Sequence, residues 1–189
     1  MSRWAPDAAA RLHGAAIDLF IEQGFAATTV PQITARAGMT TRSFFRYYAD
    51  KREVLFAGED ELPRVVAQMF ESARPAATPM ELMREGFRDV VVPKLESLRG
   101  EFLRRDAVIR TDEGLREREL RKLLILHDTA IVAFEARGLS ELDADVAAHV
   151  AVTVYDIALH EWLRTSATQQ LDQIFERVLA RVGAVAADH

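Results

Sequence analysis

The side chains best suited to chemistry cluster between residues 29 and 51: Thr29, Thr40, Thr41, Arg42, Ser43, Arg46, Tyr47 and Lys51. They are too polar for a core, and their donors match nucleic acid. A guanidinium such as that of Arg42 pairs bidentately with guanine, and Thr41 or Ser43 can bond base edges or phosphate. Tyr47, Lys51 and Thr29 suit holding the backbone better than reading sequence. Other candidates lie further on: Asp156 and His160 are one helical turn apart beside Glu161, and His127 and His149 fall on neighbouring predicted helices. A metal site needs three or four such ligands to converge, and an Asp–His pair at i,i+4 reads as a local hydrogen-bonded pair. No phosphate-cradling glycine loop or nucleophile elbow is present. The expectation is therefore no catalytic residue, no metal and no cofactor, with a metal-dependent enzyme as a distant alternative.

Three short helices must position the first cluster. Leu12, Ala16, Leu19, Phe20 and Gln23 fall at helical spacing before a stop at Gly24 and apolar Phe25. Thr29 followed by Gln32 forms a reciprocal cap, and Pro31 fits the first turn, where its missing N–H has no partner to lose. Val30, Ile33 and Ala37 point this second helix inward until Gly38 ends it. Thr40 then caps a third helix over residues 41–47, so the pair reads as a helix-turn-helix whose second helix is the reader. Leu12, Ala16, Leu19, Phe20, Ile33, Phe44 and Tyr48 supply its small core. Asp50, with Glu53, is expected to start a fourth helix running to about Ala73, with Lys51 and Arg52 placed to dock a phosphate and Pro63 kinking it.

This stretch resembles the DNA-binding region of the TetR family of transcriptional regulators. The matching residues are Leu19-Phe20, Gly24-Phe25, Thr28-Thr29-Val30, Ile33, Ala37-Gly38, Phe44-Phe45, Tyr47-Tyr48, Lys51 and Val54-Leu55. Two positions depart from the family pattern: Arg42 stands where Gly is common, and Phe45 where a Tyr hydroxyl touches phosphate. Arg42 adds a base-reading side chain; Phe45 removes a phosphate contact. The resemblance implies an all-α protein, with a helix-turn-helix DNA-binding domain at 1–52 and a helical effector-binding and dimerisation domain at 53–189. It further implies a homodimer through the last two helices, repression at a pseudo-palindromic operator DNA, and release by a small-molecule effector. The competing reading is a helical ligand-binding module without operator recognition.

Composition agrees with these limits. The 189 residues are 49% hydrophobic and contain no cysteine, which excludes disulfides, thiolate zinc sites and cysteine nucleophiles. Net charge is −5, but residues 1–52 hold seven Lys or Arg against four acids. A basic head on an acidic body suppresses indiscriminate DNA binding while keeping phosphate contacts at the head. Residues 1–5 read as a short arm from which Arg3 can reach phosphate or the minor groove. No stretch approaches the roughly 20 apolar residues that cross a bilayer, so a soluble cytoplasmic protein is expected.

In the body, residues 78–81 open a helix bearing Leu82, Met83, Phe87, Val90 and Val91. Pro93 and Gly100 are expected to split the next stretch into residues 94–98 and 101–109. Longer helices are predicted over about 115–136, 143–164 and 168–185. The last has one apolar stripe, and the one before it is apolar on more than one face, so it must be covered on both. Met83, Phe87, Phe102, Arg105, Ile109, His127, Phe134, Tyr155 and Trp162 are the candidates for an effector pocket, being mostly apolar with a few polar anchors.

Overall fold

A computed structural model describes residues 7–74, 76–165 and 169–187; Arg3 and Thr168 lie outside them. All regular elements among the described residues are helical, and the chain divides into two compact units, one of residues 1–59 and 100–119, the other of 60–99 and 120–189. The first unit thus takes in residues 100–119 beside the predicted head.

In that unit α1 (Asp7–Gln23), α2 (Val30–Arg36) and α3 (Thr41–Tyr47) close on Leu12, Ala16, Phe20, Ile33 and Phe44, joined by Val54, Leu55 and Phe56 and by Val108, Ile109 and Leu115. Helices of seven residues are too short to persist alone in water, so this core holds them. Gly38 joins α2 to α3 at φ 65°, a conformation costly for any side chain, and an added Cβ would lie 3.1 Å from the Arg11 guanidinium. That guanidinium donates to the Ala37 carbonyl at the end of α2.

The expected helix from Asp50 does not form. Asp50 Oδ1 accepts from the Arg52 and Glu53 N–H groups at 2.8 and 3.0 Å, yet only turns come after it, and Gly58 at φ 88° prevents continuation. A short 3-10 turn (Glu59–Glu61) leads into α4 (Leu62–Ser72). Pro63 therefore sits in the first turn of α4, where it costs no hydrogen bond, and makes no kink.

The turn segment is instead tied down by charge. Arg105, on α7 (Arg99–Ile109), donates to the Leu55 carbonyl at 2.6 Å, and pairs with Glu59 at 3.3 Å and with Glu119. Arg118 reaches Glu59 at 2.7 Å and Glu53 at 3.3 Å. Both guanidiniums lie over the Phe56 ring, at 4.9 and 4.5 Å. The Glu59, Arg105, Arg118 and Glu119 side chains are only 11–18% exposed, so each charge depends on its partners.

The second unit begins with α4 and α5 (Pro79–Gly86), the latter opened by a reciprocal Thr78–Glu81 cap. Pro93 does not break the path. The helix widens to a π segment (Phe87–Val91), with the Val92 N–H reaching Phe87 O, and continues as α6 (Val92–Ser97). A one-residue register change absorbs the proline's missing donor and bulk. The break falls at Leu98, and Gly100 lies inside α7. The chain continues through α8 (Glu113–Glu135), α9 (Glu141–Arg164) and α10 (Leu171–Ala187). Alanines 144, 147, 148 and 158 are buried on α9, and α10 buries Leu171, Ile174, Phe175, Val178 and Leu179. Arginines close two helix ends: Arg137 donates to the carbonyls of Phe70, Ala73 and Arg74, and Arg99 to those of Trp162 and Thr165.

Glu59→Ala removes the carboxylate shared by two mostly buried guanidiniums and should cost roughly 2 kcal/mol in urea unfolding, below the usual penalty for a broken buried pair because Glu53 and Glu119 remain; a change within about 0.5 kcal/mol would show the cluster to be inert. Burial depresses the His13 pKa below its usual 6.5, with Glu101 opposing and Arg104 and Arg105 reinforcing the shift. The unfolded chain then binds the proton more readily, so stability should fall as pH drops through about 6.5 and level off below the depressed folded value. His13→Gln should flatten this Tm loss between about pH 7.5 and 5; an unchanged slope would rule it out.

Candidate nucleic-acid interface

The cations of the head divide into those occupied internally and those left outward. Arg36 forms a two-point bond to Glu22 at 2.6 and 2.7 Å, joining α2 to α1, and that hydrogen bond holds the Glu22 carboxyl below its ordinary range. Lys51 donates to the carbonyls of Phe25 and Thr28 at 2.7 Å each and of Ala26 at 3.3 Å, and lies 4.4 Å from the Phe25 ring centre. All three ammonium hydrogens are thereby used. Lys51 braces the loop between α1 and α2, a different task from the phosphate docking read from its position after Asp50. Arg52 lies 3.6 Å from Asp50 and 3.8 Å from Glu53.

The outward surface lies on α3. Thr40 caps the helix by accepting from the Ser43 N–H at 3.1 Å, and the two hydroxyls are 3.0 Å apart. Thr41, Arg42, Phe45 and Arg46 are exposed, and Phe44 is buried beneath them. Arg46 donates to the Tyr47 hydroxyl at 2.8 Å and stacks over its ring. Arg42 makes no ion pair or side-chain hydrogen bond with any described residue. Its guanidinium remains available. Thr29 donates through its backbone and hydroxyl to Gln32 Oε1, at 2.8 and 2.9 Å, and stays exposed at the start of α2. The eight candidates thus fall into a group at the cap and on the outer side of α3, in which Thr40, Thr41, Arg42 and Arg46 are exposed and Ser43 and Tyr47 half-buried, an exposed cap at Thr29, and one internal brace.

The effector candidates fall in both units. Phe102, Arg105 and Ile109 belong to the first unit, and Arg105 is committed to Glu59, Glu119 and the Leu55 carbonyl. Met83 and Phe134 share a buried cluster in the second unit, where Phe134 meets Phe70 edge-on. Phe87 stacks on Phe175 at 3.8 Å, and Trp162 lies buried beneath Arg99. Tyr155 faces the ammonium of Lys122, a 4% exposed lysine that its charge alone would place on the surface. His127 meets His149 and Asp145; Asp145 has the same i,i+4 spacing to a histidine as Asp156 has to His160.

Residues 7–57 match the model of the family described as bacterial regulatory proteins, tetR family. The chain is 32% identical over 76 residues to the HTH-type transcriptional regulator TcmR of Streptomyces glaucescens, a match covering 40% of this chain and 34% of that relative. The chain therefore spans about a third of the curated relative's length. In fold it is similar to a transcriptional regulator from Pseudomonas aeruginosa PAO1 (TM-score 0.68, 18% identity, 99% of this chain and 94% of that one). It is also similar to Thermus thermophilus FadR, a TetR-family repressor solved with lauroyl-CoA (TM-score 0.57, 21% identity, 91% of each chain). A third likeness is to NalD, the secondary repressor of the MexAB-OprM multidrug efflux pump in Pseudomonas aeruginosa (TM-score 0.63, 18% identity, 94% and 96%). Head and fold point the same way: residues 7–57 carry the tetR-family region, and the fold of the chain is similar to that of solved TetR-family regulators.

Proposed function

We propose that this chain is a DNA-binding transcriptional regulator of the cytoplasm, a homodimer that represses from a pseudo-palindromic operator and releases it when a small molecule binds the body. The observation that carries this reading is the division of charge in the head: its core and loops engage Arg11, Arg36 and Lys51, while α3 presents Thr41, Arg42 and Arg46 outward. Helix-turn-helix proteins lay this surface in the major groove. Arg42 suits guanine, and the 55% exposed ring of Phe45 suits a thymine methyl group rather than a phosphate. Tyr47, Ser43, Thr40 and Thr29 serve the backbone.

Dimerisation is supported by α9, where Leu142, Val146 and Ile157 lie on one helical face at 46–71% exposure. Such a stripe fits a four-helix arrangement with a second copy's last two helices, and a twofold protein reads a twofold site. The solved likenesses include a repressor holding an acyl-CoA. Release by a ligand requires that ligand and DNA prefer different arrangements of the two heads, so that each weakens the other by the same coupling free energy.

Arg42→Ala should lose about 1–3 kcal/mol of discrimination at one base pair per half-site, read by competition between the preferred site and its single-base variants; undiminished discrimination would remove Arg42 as a reader. Lys51→Ala should lower the Tm of the head yet leave the slope of log affinity against log salt unchanged where the protein is folded, because no phosphate contact is lost. A shallower slope would show that Lys51 does meet phosphate.

A further inference from the structure

We propose that His127, Asp145 and His149 form a binding site for a divalent transition-metal cation of the zinc class. His127 stands on α8; Asp145 and His149 stand one turn apart on one face of α9. His127 Nε2 lies 2.8 Å from His149 Nδ1 and 3.3 Å from Asp145 Oδ1, and His149 Nδ1 lies 3.4 Å from the same oxygen. Ligands bound at about 2.0–2.2 Å in a tetrahedral shell stand about 3.4 Å apart. The three atoms therefore outline one face of such a shell, with the fourth position left for water.

The protons point the same way. His127 Nδ1 is 3.3 Å from Asp128 Oδ1, and a carboxylate there takes the Nδ1 hydrogen and turns the Nε2 lone pair toward the cluster. Without a cation, a hydrogen on His149 Nδ1 faces three acceptors, His127 Nε2, the Asp145 carboxylate and the Asp145 carbonyl at 3.0 Å; ligation requires that hydrogen to sit on Nε2 instead, which leaves the Nδ1 lone pair for the metal. The His127 lone pair and the Asp145 oxygen are left facing each other. A cation at the centre satisfies both. Two imidazoles and one carboxylate select borderline metals over calcium or magnesium, which take oxygen shells. In the single chain the His127 side chain is 15% exposed and the His149 side chain 65%, so the site has a fixed wall on α8 and an open side on the α9 face that also carries Leu142 and Val146, which places it at the edge of the surface proposed above for the second copy. Bound metal would link α8 to α9.

The test uses chelator-stripped full-length protein without DNA, so its result is independent of operator binding. Cobalt titration should give visible ligand-field bands saturating at one ion per chain and displaced by zinc. Asp145→Asn, close in shape, and His149→Gln should each weaken zinc at least tenfold against a chromophoric chelator, with helicity and sedimentation mass unchanged. Asp128→Asn, a positioning change, should weaken it less while the bands persist. Absence of bands, or variants binding as the parent does, would overturn the proposal, as would histidine resonances that titrate with pH and ignore added zinc.

Discussion

The placement of α3 depends on cations bonded to backbone carbonyls. Helices α2 and α3 are seven residues each, too short to hold their direction unaided. Their orientation is set by Ile33 and Phe44 in a shared core and by Arg11 and Lys51, which bind the carbonyls at the end of α2 and in the loop after α1. Carbonyls at a helix end carry the negative pole of the helix, so a cation there satisfies acceptors and opposes the dipole together. The body uses the same device at Arg99 and Arg137. Charge thus builds the scaffold, and the remainder faces outward.

That division separates what the sequence reveals from what it hides. The starts of α2, α3 and α5 are legible because Thr29, Thr40 and Thr78 act within three residues of themselves. The core of the head is legible for the same reason: its spacing is helical and local. Asp50 misleads because its cap geometry does form, but Gly58 and the Glu59 ion cluster, whose partners lie at positions 105 and 118, decide the path of the chain beyond it. Pro93 misleads because a π register, invisible to a 3.6-residue pattern, can carry a helix past it. Lys51 looks free in sequence because its three acceptors are backbone atoms, which every sequence has and none displays.

The candidate reader surface is legible as a stretch, but its gradation is not. Arg42 and Arg46 look alike in sequence, yet one is unpaired and the other leans on Tyr47. The effector candidates rest on residue type alone, and type does not reveal that Phe102 and Arg105 belong to the unit that holds the head. Asp145 joins two histidines only once α8 and α9 are packed.

Reading of a twofold DNA site by α3 is tested by selecting bound fragments from random-sequence DNA and titrating the winner at several salt concentrations. The expected result is a pseudo-palindrome with half-sites about one helical turn apart, and affinity falling steeply with salt. Failure of the folded, dimeric, effector-free protein to enrich any sequence would contradict it.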